Sequence, residues 1–159
     1  MQVDWPPWLG FRLEAQSRDF ANRGWRNEIA LSVDHRFDMG LDVRAEWFYH
    51  GRGASEPQDY HLPLVQSNGL FSQLGRYYMA IGGSYLVTPL WTVDGSIIFN
   101  LVDHSEIYSL QALYSVSNES EFVCSLLIAS GDKSDNIARL KSEYGLLPNQ
   151  LSLEYRIYF

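Results

Sequence analysis

The chain has 159 residues, a length that suits one domain, and its formal net charge of −7 argues against a surface that binds nucleic acid. Its single cysteine, Cys124, excludes an internal disulfide bond and a cysteine-based metal cluster. The mean hydropathy is −0.20, and no stretch approaches the roughly 18 apolar residues of a transmembrane helix. Aromatic residues reach 14%, and most of them are Tyr or Trp. These two residues concentrate where one end of the ring is dry and the other is wet, as at a membrane surface.

Short segments in which apolar and polar residues alternate recur along the chain, and turn residues separate them. This period of two predicts an all-β protein with about eight strands, most of them roughly 9–11 residues long, the length that a tilted membrane strand needs. The predicted strands are Phe11–Gln16, Glu28–Phe37, Leu41–His50, Tyr77–Val87, Trp91–Asp103, Glu106–Ser117, Glu121–Ser130 and Leu151–Phe159. The only helix that the pattern allows is a short one over Ser134–Tyr144.

Two of the predicted hairpins have turns tight enough to suggest a register. The segment Asp38-Met39-Gly40 fits a three-residue turn with glycine at the left-handed position. This turn places Arg36 opposite Asp42 and, one step further, Asp34 opposite Arg44. A two-residue turn at His104-Ser105 predicts that Phe99 lies opposite Leu110 and Gly95 opposite Tyr114.

The connections between predicted strands alternate in length. Those at 38–40, 88–90 and 118–120 are short, whereas 51–75 and 131–149 are long. In an up-and-down sheet the three short turns lie at one end and both long loops at the other. Outer-membrane barrels have this asymmetry, with short periplasmic turns and longer external loops.

Each strand has one apolar face and one polar face. The polar residues that we expect to line a barrel lumen are Asp34, Arg36, Asp42, Arg44, Glu46, Asp94, Asn100, Glu154 and Arg156. Alternation alone does not decide whether the apolar face meets lipid or a soluble core. Aromatic residues near the strand ends, such as Trp47, Tyr77 and Trp91, favour lipid because membrane barrels carry aromatic girdles there.

The last nine residues form an amphipathic strand that ends on an aromatic residue. Its apolar face consists of Leu151, Leu153, Tyr155, Ile157 and Phe159. This ending resembles the C-terminal signal of Gram-negative outer-membrane β-barrel proteins of the porin type. The resemblance implies an antiparallel up-and-down transmembrane β-barrel in the outer membrane, with membrane lipid and the barrel assembly machinery as partners.

The resemblance also suggests that the chain is incomplete. A barrel protein must be exported, but the start Met1-Gln2-Val3-Asp4 lacks the basic and apolar regions of a secretion signal. We therefore expect residues 1–159 to form one domain that is the C-terminal part of a larger barrel. The predicted function is a porin-like channel for small polar solutes, with no enzymatic activity, cofactor or bound metal. The alternatives are a plugged structural or export barrel, a barrel hydrolase acting on lipid, and a soluble lipocalin-like binder.

Three groups of residues have the composition of a site without its spacing. Asp103-His104-Ser105 contains the residue types of a hydrolase triad, but neighbours at a tight turn usually point apart. His50 and His61 flank a polar loop that could hold a metal ion, and the segment 131–136 resembles a calcium loop only in composition. We interpret all three as solvated turns and loops.

Overall fold

The protein is described by a computed structural model that covers residues 9–20, 24–60, 73–134 and 139–158. These residues form a single antiparallel sheet of eight strands, and each strand pairs with its neighbours in the sequence. The strands are β1 (Gly10–Phe20), β2 (Gly24–Arg36), β3 (Leu41–His50), β4 (Tyr77–Thr88), β5 (Trp91–Asn100), β6 (Glu106–Ser117), β7 (Ser120–Ser130) and β8 (Gln150–Ile157). The predicted all-β, up-and-down architecture is confirmed.

The strand bounds differ from the prediction mainly near the amino terminus and after β5. Strands β1 and β2 pair all the way to Phe20 and Gly24, beyond the segment that alternates in hydropathy. Strand β5 ends at Asn100, three residues earlier than predicted, because the Asn100 side chain accepts a hydrogen bond from the Val102 amide and begins a turn. The predicted helix over 134–144 is absent from its described residues, and the only helical turns in the described ranges are Pro57–Asp59 and Tyr144–Leu146. Residues 135–138 lie outside the description.

The hairpin between β2 and β3 has the predicted register. Gly40 has a φ of 85°, and its amide donates to the carbonyl of Phe37 at 3.0 Å. Arg36 pairs with Asp42, and their side chains approach to 3.8 Å. The left-handed conformation that the turn requires is open to glycine without a steric penalty, which is why this register could be inferred from sequence.

The predicted register between β5 and β6 is wrong. Phe99 lies opposite Glu106 and Gly95 lies opposite Leu110, a shift of four residues from the prediction. The connection is wider than a two-residue turn because Leu101–Ser105 folds back onto the strand ends, with the Ser105 carbonyl accepting from the Asn100 amide. The shift is even, so every side chain stays on its predicted face.

The strands from β2 to β6 are progressively staggered. The paired row that contains Arg36 and Asp42 lies beside the turn at 37–40. The same row runs on through β4 and β5 to Gln111, which is six residues from the end of β6. With a rise of about 3.3 Å per residue and a strand spacing of about 4.8 Å, six residues of stagger over four strand spacings correspond to a strand tilt of about 45°.

The larger concavity of the sheet lies on its polar face. Charged and small polar residues from β1 to β6 contribute to its lining, and its volume is about 840 Å³. A smaller hollow of about 540 Å³ lies on the apolar face, beside Ile97, Tyr108 and Leu110. The opposite, apolar face is not covered by a second layer of the described residues, and Ile81, Leu110 and Ile128 on central strands are each at least 41% exposed. The buried side chains are few and lie mostly where the long loops fold against the sheet, as described below.

The end of the sheet with the short connections is called the turn end, and the end with the connections at 51–76, 101–105 and 131–149 is the loop end. Strand β1 pairs with β2 only and strand β8 with β7 only, within the described residues. Both outer edges of the sheet are therefore without a strand partner in the described part of the chain. No helix among the described residues is long and apolar enough to cross a membrane.

Candidate functional site: the polar face and its loop-end cluster

The nine residues expected to line a lumen all belong to the polar face, because the observed pairing puts them on the same side of their strands. They differ in their surroundings. Those that line the concavity are Asp34, Asp42, Arg44, Glu46 and Asp94. Arg36 lies at the turn end, whereas Asn100 is completely buried at the loop end. Glu154 and Arg156 lie on the edge strand β8.

Ion pairs on the polar face lie at its rim and leave the centre unpaired. Arg156 contacts Glu154 at 2.8 Å and Glu121 at 3.2 Å, and the Arg36–Asp42 pair lies beside the turn. Arg44, Glu46 and Asp94 form no ion pair with any described residue. Unpaired charges that face a shared concavity set up a field across it, and carboxylates outnumber guanidinium groups there.

The apolar face carries aromatic residues near both ends and aliphatic residues between them. Near the loop end, the Trp47 and Tyr77 rings stack with centroids 6.3 Å apart. Near the turn end, the Trp91 and Tyr114 rings lie 4.7 Å apart. The residues Leu151, Leu153, Tyr155 and Ile157 of the predicted assembly signal share this face and are 52–69% exposed, whereas Phe159 lies outside the described residues.

At the loop end, a buried hydrogen-bond cluster joins the sheet to three connections. Asn100 lies at its centre, and its Nδ2 donates to Glu143 Oε2 at 2.7 Å and to Asp103 Oδ2 at 3.2 Å. Tyr78 donates its hydroxyl proton to Glu143 at 2.5 Å, and Tyr60 donates to Asp103 at 2.8 Å. Both carboxyl groups are therefore held by hydroxyl and amide donors, and both residues are half-buried.

The environment of the cluster changes the proton affinity of its groups. Burial raises the pKa of the Glu143 carboxyl group, and the Asp103 carboxylate acts in the same direction, although the hydrogen bonds from Tyr78 and the Leu74 amide oppose it. Burial, aided by the hydrogen bond to Asp103, also raises the pKa of Tyr60. The Tyr60 hydroxyl group consequently remains protonated and serves as a donor at neutral pH.

No family model, curated protein or solved structure matches this chain. The chemistry of the described residues is therefore the basis for assigning a function. The concave polar face can accept water and small polar solutes, and the exposed apolar face is suited to a hydrocarbon environment.

The residues with the composition of a hydrolase triad do not form one. His104 is exposed at a positive φ of 59°, whereas Ser105 is fully buried and its hydroxyl oxygen accepts from the Tyr144 amide. Asp103 is engaged by Tyr60, Asn100 and the Glu143 amide instead of by the histidine. This arrangement provides no base beside the serine hydroxyl.

The two loops with the composition of a metal or calcium site, which we interpreted as solvated, fall partly outside the described residues. His50 is buried with its Nδ1 atom 3.1 Å from Glu28, on the polar face, and His61 is not described. No group of three or more His, Cys, Asp or Glu side chains within the described ranges is arranged to hold a metal ion. Residues 135 and 136 of the calcium-like segment are also outside these ranges.

Sequence reasoning identified the polar face but missed the cluster. Tyr60, Tyr78 and Glu143 had no predicted role, and Asn100 was expected beside water instead of in a buried network. Alternation within a strand indicates the face on which a side chain lies. It gives no information about a contact between residues that are 43 positions apart in the sequence, such as Asn100 and Glu143. The available signal was the strand-terminal asparagine, whose side chain commonly bonds to nearby backbone atoms.

Proposed function

We propose that the chain forms part of an outer-membrane β-barrel and acts there as a porin-like channel for small polar solutes. The observation that carries this proposal is which face of the sheet lines the larger concavity. Charged residues such as Asp94 and Arg44 line it, and aliphatic residues such as Leu110 and Ile128 lie exposed on the opposite face. A membrane barrel requires this arrangement, whereas a soluble lipocalin-like binder buries its apolar face inside.

The dimensions of the apolar face support a lipid environment. Strand β4 carries Tyr77 near the loop end and Tyr85 near the turn end, with Met79 and Ile81 between them on the same face. At a tilt of about 45°, the two tyrosines are about 19 Å apart along the barrel axis. The lipid-facing band of a bacterial outer-membrane barrel is about 25 Å tall and has an aromatic girdle at each interface.

The tilt and the connections agree with the same environment. Membrane barrels tilt their strands by about 35–45°, which matches the stagger of this sheet. The turn end would then face the periplasm and the loop end the exterior. In this orientation β8 ends at the periplasmic interface, as the resemblance to the C-terminal assembly signal implies.

A plugged structural or export barrel is the second candidate, and the loop-end cluster favours it. The cluster places buried side chains of the connections over the polar face, where they would narrow the external mouth. Conductance separates the two functions, because an open channel passes ions and a plugged barrel does not.

The test combines localisation with conductance. The protein should fractionate with the outer membrane, require detergent for extraction, and produce discrete conductance steps in a planar bilayer. Recovery without detergent would contradict membrane insertion, and insertion without conductance would favour the plugged barrel.

A charge variant tests whether solutes follow the polar face. Neutralising Glu46 and Asp94 together, by Glu46→Gln and Asp94→Asn, should lower the preference of the channel for cations over anions. Glu119→Gln makes the same type of change on an exposed residue of the turn between β6 and β7, and it should leave the reversal potential almost unchanged. Equal shifts in both variants would contradict a pathway along the polar face.

A further inference from the structure

The connection between β7 and β8 contains a short segment, Leu140–Leu146, that folds onto the sheet and is called the strap. Alternate side chains of the strap point inward: Leu140, Ser142 and Tyr144 are each at most 8% exposed. They belong to the small buried set of a sheet that otherwise leaves most of its residues accessible. A loop that only connected two strands would have no need to bury every second residue.

The strap lies on the concave side of the sheet. Its residue Glu143 is bound by Tyr78 of β4 and Asn100 of β5, which lie opposite each other in the pairing of those strands. Both belong to the polar face, in the same strand alternation as the residues that line the concavity. The strap therefore lies against the polar face at its loop end, next to the lining residues Ala80 and Ile98, instead of extending away from the sheet.

Several independent hydrogen bonds hold the strap in this position. The Glu143 amide donates to Asp103 at 2.7 Å, and the Tyr144 amide donates to the Ser105 hydroxyl oxygen at 3.3 Å. The Ser142 hydroxyl group donates to the carbonyl of Asp132 at 2.9 Å. Asn100 differs from the other partners because its one amide nitrogen contacts both carboxyl groups, and these would repel each other without it.

We propose that the strap is a closable cap over the loop end of the concavity, and that Asn100, held between Asp103 and Glu143, is the latch that keeps it down. No ion pair within the described ranges joins either carboxyl group to a basic side chain. The cap is therefore held by hydrogen bonds to half-buried acceptors, which stabilise more while they are dry than once water enters. Such a contact opens as a unit, which suits a movable cap.

The proposal predicts that weakening the latch frees the strap without unfolding the sheet. Tyr78→Phe removes one hydroxyl donor to Glu143 and keeps the aromatic ring. Amide hydrogen exchange in residues 140–146 should then accelerate roughly ten- to a hundredfold, as expected for the loss of a hydrogen bond to a charged group. Exchange in the central residues of β4 to β7 should not change.

Tyr77→Phe provides the matched control. Tyr77 is the preceding residue, lies on the apolar face and is 39% exposed, and the same hydroxyl group is removed. It should leave strap exchange unchanged. If Tyr78→Phe does not assemble, Tyr60→Phe tests the same latch from outside the strands, because Tyr60 donates to Asp103. Strap exchange that stays at the wild-type rate in the assembled latch variant and in Asn100→Ala would overturn the proposal.

The effect of the strap on solute entry rests on the proposed channel function, and conductance measures it separately from hydrogen exchange. Freeing the strap should raise single-channel conductance or lengthen the open periods, and Tyr77→Phe should do neither. Faster strap exchange with unchanged conductance in an active channel would show that the strap does not restrict entry. Absence of conductance from every variant would refute the channel, and the exchange data would still decide whether the latch exists.

Discussion

Ile97 and Ser96 are neighbours in the sequence, but they lie on opposite faces of the sheet. Ile97 pairs with Ile81 and Tyr108 on the apolar face, and Ser96 pairs with Gly82 and Ser109 on the polar face. The two positions thus share a strand, a depth and a backbone environment. If the chain inserts in a membrane as proposed, they differ only in whether a new side chain meets hydrocarbon or the wet concavity.

Ile97→Arg should destabilise the protein in a bilayer by about 2–4 kcal/mol, because a lipid-facing guanidinium group near the midplane is poorly solvated. Ser96→Arg should cost much less, since its side chain reaches the polar concavity. Chemical unfolding of both variants in lipid vesicles measures the difference in the free energy of unfolding. Equal losses at the two positions would contradict the assignment of the lipid face.

The buried carboxyl group of Glu143 predicts how the docking of the strap depends on pH. Because burial raises its pKa, the folded cluster binds a proton more tightly than the unfolded chain does. Docking of the strap should therefore be most stable at a pH below about 4.3, the ordinary pKa of a glutamate side chain. It should weaken as the pH rises through the raised pKa of Glu143. Hydrogen exchange in residues 140–146, corrected for its intrinsic pH dependence, measures this change.

Glu143→Gln removes the titration and keeps the size of the side chain, so the strap should lose this pH dependence. Glu119→Gln, which changes an exposed carboxyl group at the other end of the sheet, should retain it. A wild-type strap whose protection increases with pH would show that the hydrogen bonds to the carboxylate outweigh its burial.

At the scale of the elements, the β2–β3 hairpin combines a turn glycine with complementary charges. Arg36 and Asp42 approach to 3.8 Å, but their side chains are 76% and 50% exposed. Water screens such a pair, and cross-strand or surface ion pairs contribute at most about 1 kcal/mol. The register must therefore depend mainly on Gly40 and on the alternating faces of the strands, with the ion pair adding little.

A double-mutant cycle with Arg36→Gln and Asp42→Asn should give a coupling energy below about 1 kcal/mol, and added salt should reduce it. Gly40→Ala should cost more than the whole coupling, because the position has a φ of 85° and a Cβ atom there is strained even though it would meet no neighbour. Unfolding free energies of the four cycle members and of Gly40→Ala provide the measurement. A coupling larger than the glycine effect would reverse this ranking.

The two hairpins also show how far the sequence could predict the fold. The register at Gly40 is a local property, since a positive φ and complementary charges at Arg36 and Asp42 lie within seven residues. The register after β5 is not local, because Asp103, three residues after the end of the strand, is held in the connection by Tyr60 and the Glu143 amide, each about 40 residues away. A two-residue turn fits the sequence equally well until those contacts are known.

The same distinction applies to the candidate site. The polar face could be predicted because alternation within each strand assigns a side chain to a face, and an even shift in register preserves the assignment. The loop-end cluster could not be predicted, because Leu74 and Glu143 meet across 69 residues and through irregular backbone. No periodic pattern in the sequence records a contact of that kind.

At the scale of the whole molecule, the described sheet has two edges whose backbone groups lack a strand partner. Apolar residues are most exposed there: Phe11 and Leu13 of β1 are 55% and 59% exposed, and Leu151 of β8 is 69% exposed. Comparable residues of strands with two neighbours, such as Leu126 and Leu110, are 37% and 50% exposed. The difference arises because an edge strand has a neighbour on one side only.

In a membrane both edges must be paired, since each unsatisfied backbone group in hydrocarbon costs several kcal/mol. We therefore predict that, in a lipid bilayer, the β8 amides that point away from β7 exchange as slowly as those that bond to it. Strands β1 and β8 run antiparallel, so either can accept an antiparallel neighbour of the same amphipathic type. The comparison requires amide hydrogen exchange rates for the individual residues 150–157, measured in lipid bilayers and in denaturant. Rapid exchange at alternate β8 amides in the bilayer would mean that this edge meets water, and the strand could not then lie in the hydrocarbon core.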